Sequence, residues 1–97
     1  MELPDTITFD LKQSHIDNSQ CGSSSKCMMA NAIYEHLNTS CDVSVLPDRV
    51  MVIVHGERNI RYDYYTCEKF ATAVTLFDLG RRSLIKTGTY SITRKKS

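Results

Sequence analysis

Long apolar runs are missing from this sequence of 97 residues. Nowhere do the roughly 20 consecutive apolar residues occur that a helix needs to cross a bilayer. Residues 1–5 are acidic, whereas a secretion signal begins with basic residues and continues into an apolar stretch. We therefore expect a cytoplasmic protein that is neither secreted by that route nor inserted in a membrane.

Motifs of the common enzyme classes are also absent. The four glycines stand singly, so there is no glycine-rich phosphate loop, and neither a nucleophile elbow nor a paired-carboxylate motif occurs. The three histidines, His15, His36 and His55, lie in different predicted elements, and nothing fixes one of them beside a nucleophile. The sequence predicts a protein that is not an enzyme and needs no cofactor.

Cysteine is scarce and its spacing does not favour a metal site. The four cysteines are Cys21, Cys27, Cys41 and Cys67. Structural zinc sites usually hold cysteines in pairs about two to four residues apart, whereas five residues separate Cys21 from Cys27. A disulfide framework is typical of secreted chains with a higher cysteine content. Free thiols and no metal are therefore predicted.

The composition is that of an ordinary globular domain. Hydrophobic residues make up 41% of the chain and charged residues 24%, far from the signature of disorder. A chain of this length has room for one hydrophobic core. We expect a single domain over residues 1–97.

The first elements follow from the spacing of apolar residues. Alternation of apolar and polar residues predicts a strand over residues 7–11. Asp10 and Gln13 resemble a capping box, which indicates a short helical segment from 11 to 16. Residues 17–25 are polar and predict a loop.

A first long helix is predicted to begin after a cap at Ser24 or Ser25 and to end near Leu37 or Asn38. Its buried face consists of residues at helical spacing. These are Met29, Ala30, Ile33 and Leu37.

Residues 43–45 and 50–54 then predict two strands, or one interrupted strand, and a turn at 55–59 joins 50–54 to a strand at 60–64 in a β-hairpin. Because the run at 50–54 is apolar on both faces, we expect it to be a central strand.

A second helix is predicted to begin after a cap at Thr66 and to close at Gly80. A connection over 81–88 leads to a last strand at 90–92. The order β-α-β-β-β-α-β predicts an α+β fold with a mostly antiparallel sheet of four to five strands and two helices on one face.

Charge is distributed unevenly along the chain. Residues 1–80 carry six basic and eleven acidic side chains, a net charge of −5, whereas residues 81–97 carry six basic side chains and no acidic one, which brings the total to +1. Such a split indicates a charged partner surface, unless the two segments interleave in space and neutralise each other.

Two candidate binding surfaces follow from this split. The acidic set, Glu2, Asp5, Asp10, Asp17, Asp42 and Asp48, would compete for a basic nucleic-acid groove in a partner if these carboxylates share a face. The basic set is Arg81, Arg82, Lys86, Arg94, Lys95 and Lys96. Together with Tyr62, Tyr64, Tyr65 and Tyr90, it would offer a cationic, aromatic surface to nucleic acid. The alternatives are an ordinary solvated surface, a solvated tail and core tyrosines.

Four short segments occur in a fixed order over most of the chain. They are Ile7-Thr8-Phe9, His15-Ile16, Cys27-Met28-Met29-Ala30-Asn31-Ala32-Ile33 and Phe77-Asp78-Leu79-Gly80. In this respect the chain resembles a family of small phage and prophage proteins, in which Pro-Ile usually takes the place of Met28-Met29. These motifs concern packing and capping, and no catalytic residue is carried over.

The resemblance implies a virus-borne accessory protein, and such proteins often disable a host defence complex by occupying its binding surface. It therefore implies an inhibitor of the anti-CRISPR type, whose partner is a host protein or nucleoprotein complex such as a CRISPR effector. The alternative is a small nucleic-acid-binding regulator that uses the basic set. A third class, a small-molecule sponge, predicts a deep pocket in a symmetric oligomer.

Overall fold

The computed structural model describes residues 3–19 and 27–94 and has the predicted order of elements. The strands are β1 (Thr6–Leu11), β2 (Cys41–Val45), β3 (Arg49–Val54), β4 (Ile60–Thr66) and β5 (Gly88–Arg94). The helices are α1 (Gln13–Asp17), α2 (Met28–Leu37) and α3 (Glu68–Asp78), and a 3-10 turn occupies Arg82–Leu84. The prediction of an α+β fold is confirmed, as is the short helical segment after the first strand.

All five strands form one antiparallel sheet in the order β1-β5-β4-β3-β2. The predicted hairpin is present, with Val54 of β3 opposite Ile60 of β4. The strand β3 lies inside the sheet, between β2 and β4, as its apolar run predicted. The first strand pairs with the last, and Ile7 of β1 lies opposite Ile92 of β5.

One face of the sheet is buried and the other is open to solvent. Alternate residues of β1, β2 and β3 are buried, which is the pattern of a sheet packed on one side only. The helix α2 contacts both edge strands, β1 and β2, and α3 contacts β5. The two long helices therefore cover the same face, as predicted.

Aromatic rings fill the core beneath α3. Phe70 of α3 meets Phe9 of β1 and Tyr90 of β5 edge to face, with ring centroids 6.3 and 6.5 Å away. Phe9 and Tyr90 stack on each other at 6.3 Å. These contacts fix the position of α3 on the β1–β5 half of the sheet.

The strands β4 and β5 overlap over three residue pairs only, from Tyr64 opposite Arg94 to Thr66 opposite Ile92. The chain leaves the sheet after Thr66 and enters α3, so the first half of β5 has no strand beside it on that side. Lys69 of α3 takes that place and donates a hydrogen bond from Nζ to the carbonyl oxygen of Thr89 at 2.9 Å. Within the described ranges no helix has both the length and the apolar character needed to cross a bilayer.

The predicted amino-terminal caps of the two long helices are wrong. Cys27 caps α2, and its Sγ accepts a hydrogen bond from the amide of Ala30 at 3.5 Å; Ser24 and Ser25 lie outside the described residues. Cys67 occupies the N-cap position of α3 without a capping hydrogen bond from its side chain, because Thr66 is still part of β4 and donates from Oγ1 to the carbonyl oxygen of Pro47 at 2.6 Å.

The capping box at Asp10 is also wrong. Asp10 belongs to β1, where it accepts a hydrogen bond from the Thr89 hydroxyl, and Lys12 is the residue before α1. The end of α3 at Gly80 is confirmed. Gly80 has φ of 76°, and the amides of Gly80 and Arg81 bond to the carbonyls of Phe77 and Leu76, which is the Schellman arrangement.

Candidate functional site

A groove of about 380 Å³ runs along α3, between the helix and the segment that leads into β5. Its floor is largely apolar and consists of Ala73, Leu76, Ile85 and Tyr90. Glu68, Lys69, Thr72, Leu84 and Lys86 complete its walls. A concave apolar floor with a few polar groups at the rim is the usual composition of a binding site.

The polar groups at one end of the groove are held in place. The hydroxyl of Tyr90 donates to the carbonyl oxygen of Lys86 at 2.6 Å, and the Nζ of Lys69 lies 4.4 Å from the centre of the Tyr90 ring. Burial raises the pKa of Tyr90, so its hydroxyl keeps the proton that it donates. This end of the groove is preformed.

Two exposed leucines extend the apolar floor toward the carboxyl end of α3. Leu76 lines the groove together with Leu84 of the 3-10 turn, and Leu79 follows Leu76 by three residues, directly after the last residue of α3. Leu79 is 66% exposed and Leu84 is 57% exposed. We call Leu76, Leu79 and Leu84, together with the groove, the α3 surface. Adjacent exposed apolar side chains beside a cavity are typical of a protein-binding site.

Arg82 holds the 3-10 turn against the rest of the fold. Its guanidinium donates to the carbonyl oxygens of Ile16 at 3.1 Å and Ser19 at 3.2 Å, and lies 4.9 Å from the ring centre of Phe77. The turn that carries Leu84 is thus tied to the end of α1. The geometry makes Arg82 an anchor of the α3 surface.

The basic set is spread over different parts of the fold. Arg81 and Lys86 are exposed and flank the α3 surface, while Arg82 is engaged as described. Arg94 lies at the far end of β5, 4.9 Å from the ring centre of Tyr62 and 3.9 Å from Asp5. Lys95 and Lys96 lie outside the described residues.

The tyrosines do not add to a cationic surface. Tyr62, Tyr64 and Tyr90 are buried in the core, and Tyr65 is the one of the four that is exposed. The predicted combination of the basic set with a row of tyrosines is therefore wrong. The strand positions explain this, because Tyr62 and Tyr64 alternate with Arg61, Asp63 and Tyr65 and so face the core.

The acidic set is not brought together either. Asp10 and Asp42 lie on the open face of the sheet but on its two opposite edge strands, four strand spacings or about 19 Å apart along the sheet. Asp17 is at the end of α1, where it accepts from Gln13, and Asp48 is in the turn between β2 and β3. Asp5 lies near Arg94, as above, and Glu2 is outside the described residues.

A hydrogen-bonded cluster joins α1 to α2 on the other side of the molecule. His15 is buried; its Nδ1 accepts from the backbone amide of Lys12 at 2.9 Å, and its Nε2 is bonded to a carboxylate oxygen of Glu35. The Nζ of Lys12 donates to the other oxygen of Glu35 at 2.9 Å. Hydrogen bonds from His15 and Lys12 lower the pKa of Glu35. Both ring nitrogens of His15 are therefore engaged inside this cluster.

A serine, a histidine and an aspartate meet at the end of the β2–β3 hairpin, which sequence reasoning missed. Ser40 Oγ is 3.2 Å from Nδ1 of His55, and Nε2 of His55 is 3.0 Å from Asp42. The register of the β2–β3 hairpin brings these residues together, since the amide of His55 donates to the carbonyl oxygen of Ser40. All three side chains are exposed, and a nearby cavity of about 340 Å³ is lined by His55 but by neither Ser40 nor Asp42. All three side chains are therefore open to water, and His55 alone of the three borders this cavity.

The thiols of the described residues are free, as predicted. Cys27 and Cys41 are buried, and Cys67 is exposed at the start of α3. Burial raises the pKa of Cys27 and of Cys41, which leaves both as unreactive thiols. In residues 3–19 and 27–94, no three His, Cys, Asp or Glu side chains converge as metal ligands would. Cys21 lies outside these ranges.

No protein-family model, no curated protein and no solved structure matches this chain.

Proposed function

We propose that this protein is a non-enzymatic accessory protein of the phage type that binds and inhibits a host defence complex, and that it binds through the α3 surface. The observation that carries the proposal is the apolar groove beside α3, with Leu84 exposed in its wall and Leu79 exposed at the end of the helix. Apolar side chains that stand in water gain free energy when a partner covers them.

The composition of the α3 surface favours a protein partner. Interface centres are poor in charge and rich in large apolar or aromatic anchors, with charged groups at the rim. Leu76, Leu79 and Leu84 supply the apolar centre, and Arg81 and Lys86 stand at its edges. The hydrogen bonds of Arg82 hold the 3-10 turn in place before a partner binds, which lowers the entropic cost of binding.

The resemblance to small phage proteins supports the choice of partner, a host protein or nucleoprotein complex such as a CRISPR effector. The acidic set supports it less well. Its described members are spread over both edges of the sheet, whereas competition for a nucleic-acid groove needs carboxylates at closely repeated spacing. Inhibition through apolar contacts on the host protein fits the distribution of side chains better.

The test is a plaque assay in a panel of bacterial strains. Each strain carries one defence system that targets the infecting phage, and the panel includes CRISPR systems. We expect expression of the protein to restore plaques against at least one system, and the protein to copurify with that system's complex. A variant with Asp5, Asp10, Asp17, Asp42 and Asp48 changed to Asn is expected to restore plaques as well.

Three other results would contradict parts of the proposal. Loss of inhibition in the asparagine variant would assign binding to the acidic set. No restoration with any system, together with a salt-sensitive shift of DNA or RNA by the purified protein, would replace the inhibitor with a nucleic-acid-binding regulator. Turnover of a substrate would remove the non-enzymatic assignment.

A further inference from the structure

We propose that the groove beside α3 binds an amphipathic carboxylate, a small molecule that carries one carboxylate group on an unbranched apolar chain of medium length. The carboxylate binds at the end of the groove where Lys69 lies, and the chain lies along the apolar floor. This ligand site goes beyond the inhibitor function, because it concerns a free small molecule and requires no host partner.

The two ends of the groove differ in chemistry. The Nζ of Lys69 lies 4.4 Å from the centre of the Tyr90 ring, and the hydroxyl of Tyr90 donates to the backbone carbonyl of Lys86. Lys69 and Lys86 therefore lie at the same end. Further along α3, Ala73 and then Leu76 line the groove. A groove that is cationic at one end and apolar beyond it is complementary to a molecule with a carboxylate at one end of an apolar chain.

The ammonium of Lys69 can accept a carboxylate as a further partner. It has three N–H donors, and the carbonyl oxygen of Thr89 takes one of them at 2.9 Å. Among the described residues no carboxylate pairs with Lys69 or Lys86, although Glu68 also lines the groove. The contacts with Thr89 and Tyr90 hold the ammonium in place, which lowers the cost of binding an anion.

The size of the groove sets the length of the chain. Its volume of about 380 Å³ lies toward the lower end of the roughly 300–1,000 Å³ that is usual for ligand sites. Lys69 and Leu76 are seven residues apart in α3, which is about 10 Å along the helix axis and about the length of an extended chain of eight carbons. Octanoate is therefore the probe.

The experiment is a titration of the purified full chain at pH 7, followed through the backbone amide signals in NMR spectra. Octanoate is expected to shift the amides of the groove residues and to saturate with a Kd on the order of 1 mM, since the ligand is small. Octylammonium has the same chain and the opposite charge. It is expected to bind at least about tenfold more weakly, because its charge meets Lys69 and Lys86.

A matched pair of variants tests the location. Thr72 is exposed and lines the groove, so Thr72→Trp fills the groove without changing the core and should weaken octanoate binding at least about tenfold. Thr75 is exposed on the same helix but does not line the groove, and Thr75→Trp should leave the Kd within about twofold of the wild type. Circular dichroism confirms that both variants are folded.

A second variant tests the role of charge. Lys69→Gln combined with Lys86→Gln removes both ammonium groups from the rim and leaves the apolar floor intact. The expected result is that octanoate and octylammonium then bind with similar affinity. A preference for octanoate that persists in this variant would contradict the assignment of the carboxylate to this end.

Absence of saturable shifts at the groove amides with octanoate at about 10 mM, tenfold above the expected Kd, would overturn the inference. Equal affinity of the wild type for octanoate and octylammonium would overturn it too, and so would equal binding by the two tryptophan variants. None of these results depends on the plaque assay, so failure of the ligand site and failure of the inhibitor function are told apart.

Discussion

Replacing Arg82 by Ala should destabilise the fold, whereas the same change at Arg81 should not. The two residues are neighbours of the same type, but their surroundings differ. Arg82 is half-buried, with two hydrogen bonds to the carbonyls of Ile16 and Ser19 and a cation–π contact with Phe77. Arg81 is exposed, and none of the described residues forms an ion pair with its side chain. The pair is therefore an internal comparison of an anchored and a free arginine.

The magnitude follows from the contacts that Arg82→Ala removes. Each hydrogen bond from a charged donor contributes about 1.5 kcal/mol at the lower end of its range, and the cation–π contact about 0.5 kcal/mol at a partly exposed site. Partial exposure of the guanidinium reduces the sum, and we expect a loss of about 2 kcal/mol. For a chain of this size that corresponds to a decrease in Tm on the order of 10 °C. Arg81→Ala should stay within about 0.5 kcal/mol of the wild type.

The assay is urea unfolding followed by circular dichroism. Arg82→Lys keeps the charge but not the two-pronged donor geometry, so it should recover less than half of the lost stability. Equal midpoints for Arg82→Ala and Arg81→Ala would refute the reasoning. If Arg82→Ala is as stable as the wild type but no longer binds nucleic acid, Arg82 belongs to a nucleic-acid-binding surface and is not an anchor of the fold.

Two further predictions concern buried hydrogen bonds and titrating groups. Tyr64→Phe removes a hydrogen bond of 2.8 Å to the carbonyl of Pro4 and should cost about 1 kcal/mol at neutral pH in urea unfolding. Burial raises the pKa of Tyr64 to about 12, so its contribution is complete below the unfolded value of 10.0 and is lost as the pH rises through 12. The wild type should therefore lose stability over that interval with a steeper slope than Tyr64→Phe, and equal slopes would contradict the burial of this hydroxyl. Hydrogen bonds from His15 and Lys12 lower the pKa of Glu35 from 4.5, so its contribution is present above that pH and is lost as the pH falls through the lowered value. Glu35→Gln should flatten the acid limb of the stability profile in acid-unfolding measurements, and an unchanged limb would show that the cluster contributes nothing.

The local elements could be predicted from the sequence because each depends on residues close together in the chain. The β3–β4 hairpin follows from alternation on both sides of a polar turn, and the end of α3 from Gly80, whose positive φ suits glycine. The amino-terminal caps could not be predicted in this way. Thr66 has a capping side chain, but pairing with Ile92 keeps it in β4 and moves the cap to Cys67.

Most of the candidate site depends on contacts between distant residues. The α3 surface exists because Lys69 and Tyr90, from α3 and β5, hold the segment before β5 against the helix. In the sequence, residues 81–88 appear only as a connection. A signal was present in the apolar pair Leu84 and Ile85 within that connection, but their pairing with Leu76 depends on where β5 lies in the sheet. The same holds for His55, which meets Asp42 only through the hairpin register.

The central claim is that this protein works through the α3 surface. The most direct measurement is the plaque assay, in the defence system that the wild type inhibits, with two double variants expressed at equal levels. Leu79→Glu with Leu84→Glu changes the α3 surface, and Leu46→Glu with Ile60→Glu changes two exposed apolar residues elsewhere. The account predicts that the first variant no longer restores plaques and that the second restores them like the wild type. Equal restoration by both, or loss in the second variant alone, would contradict it.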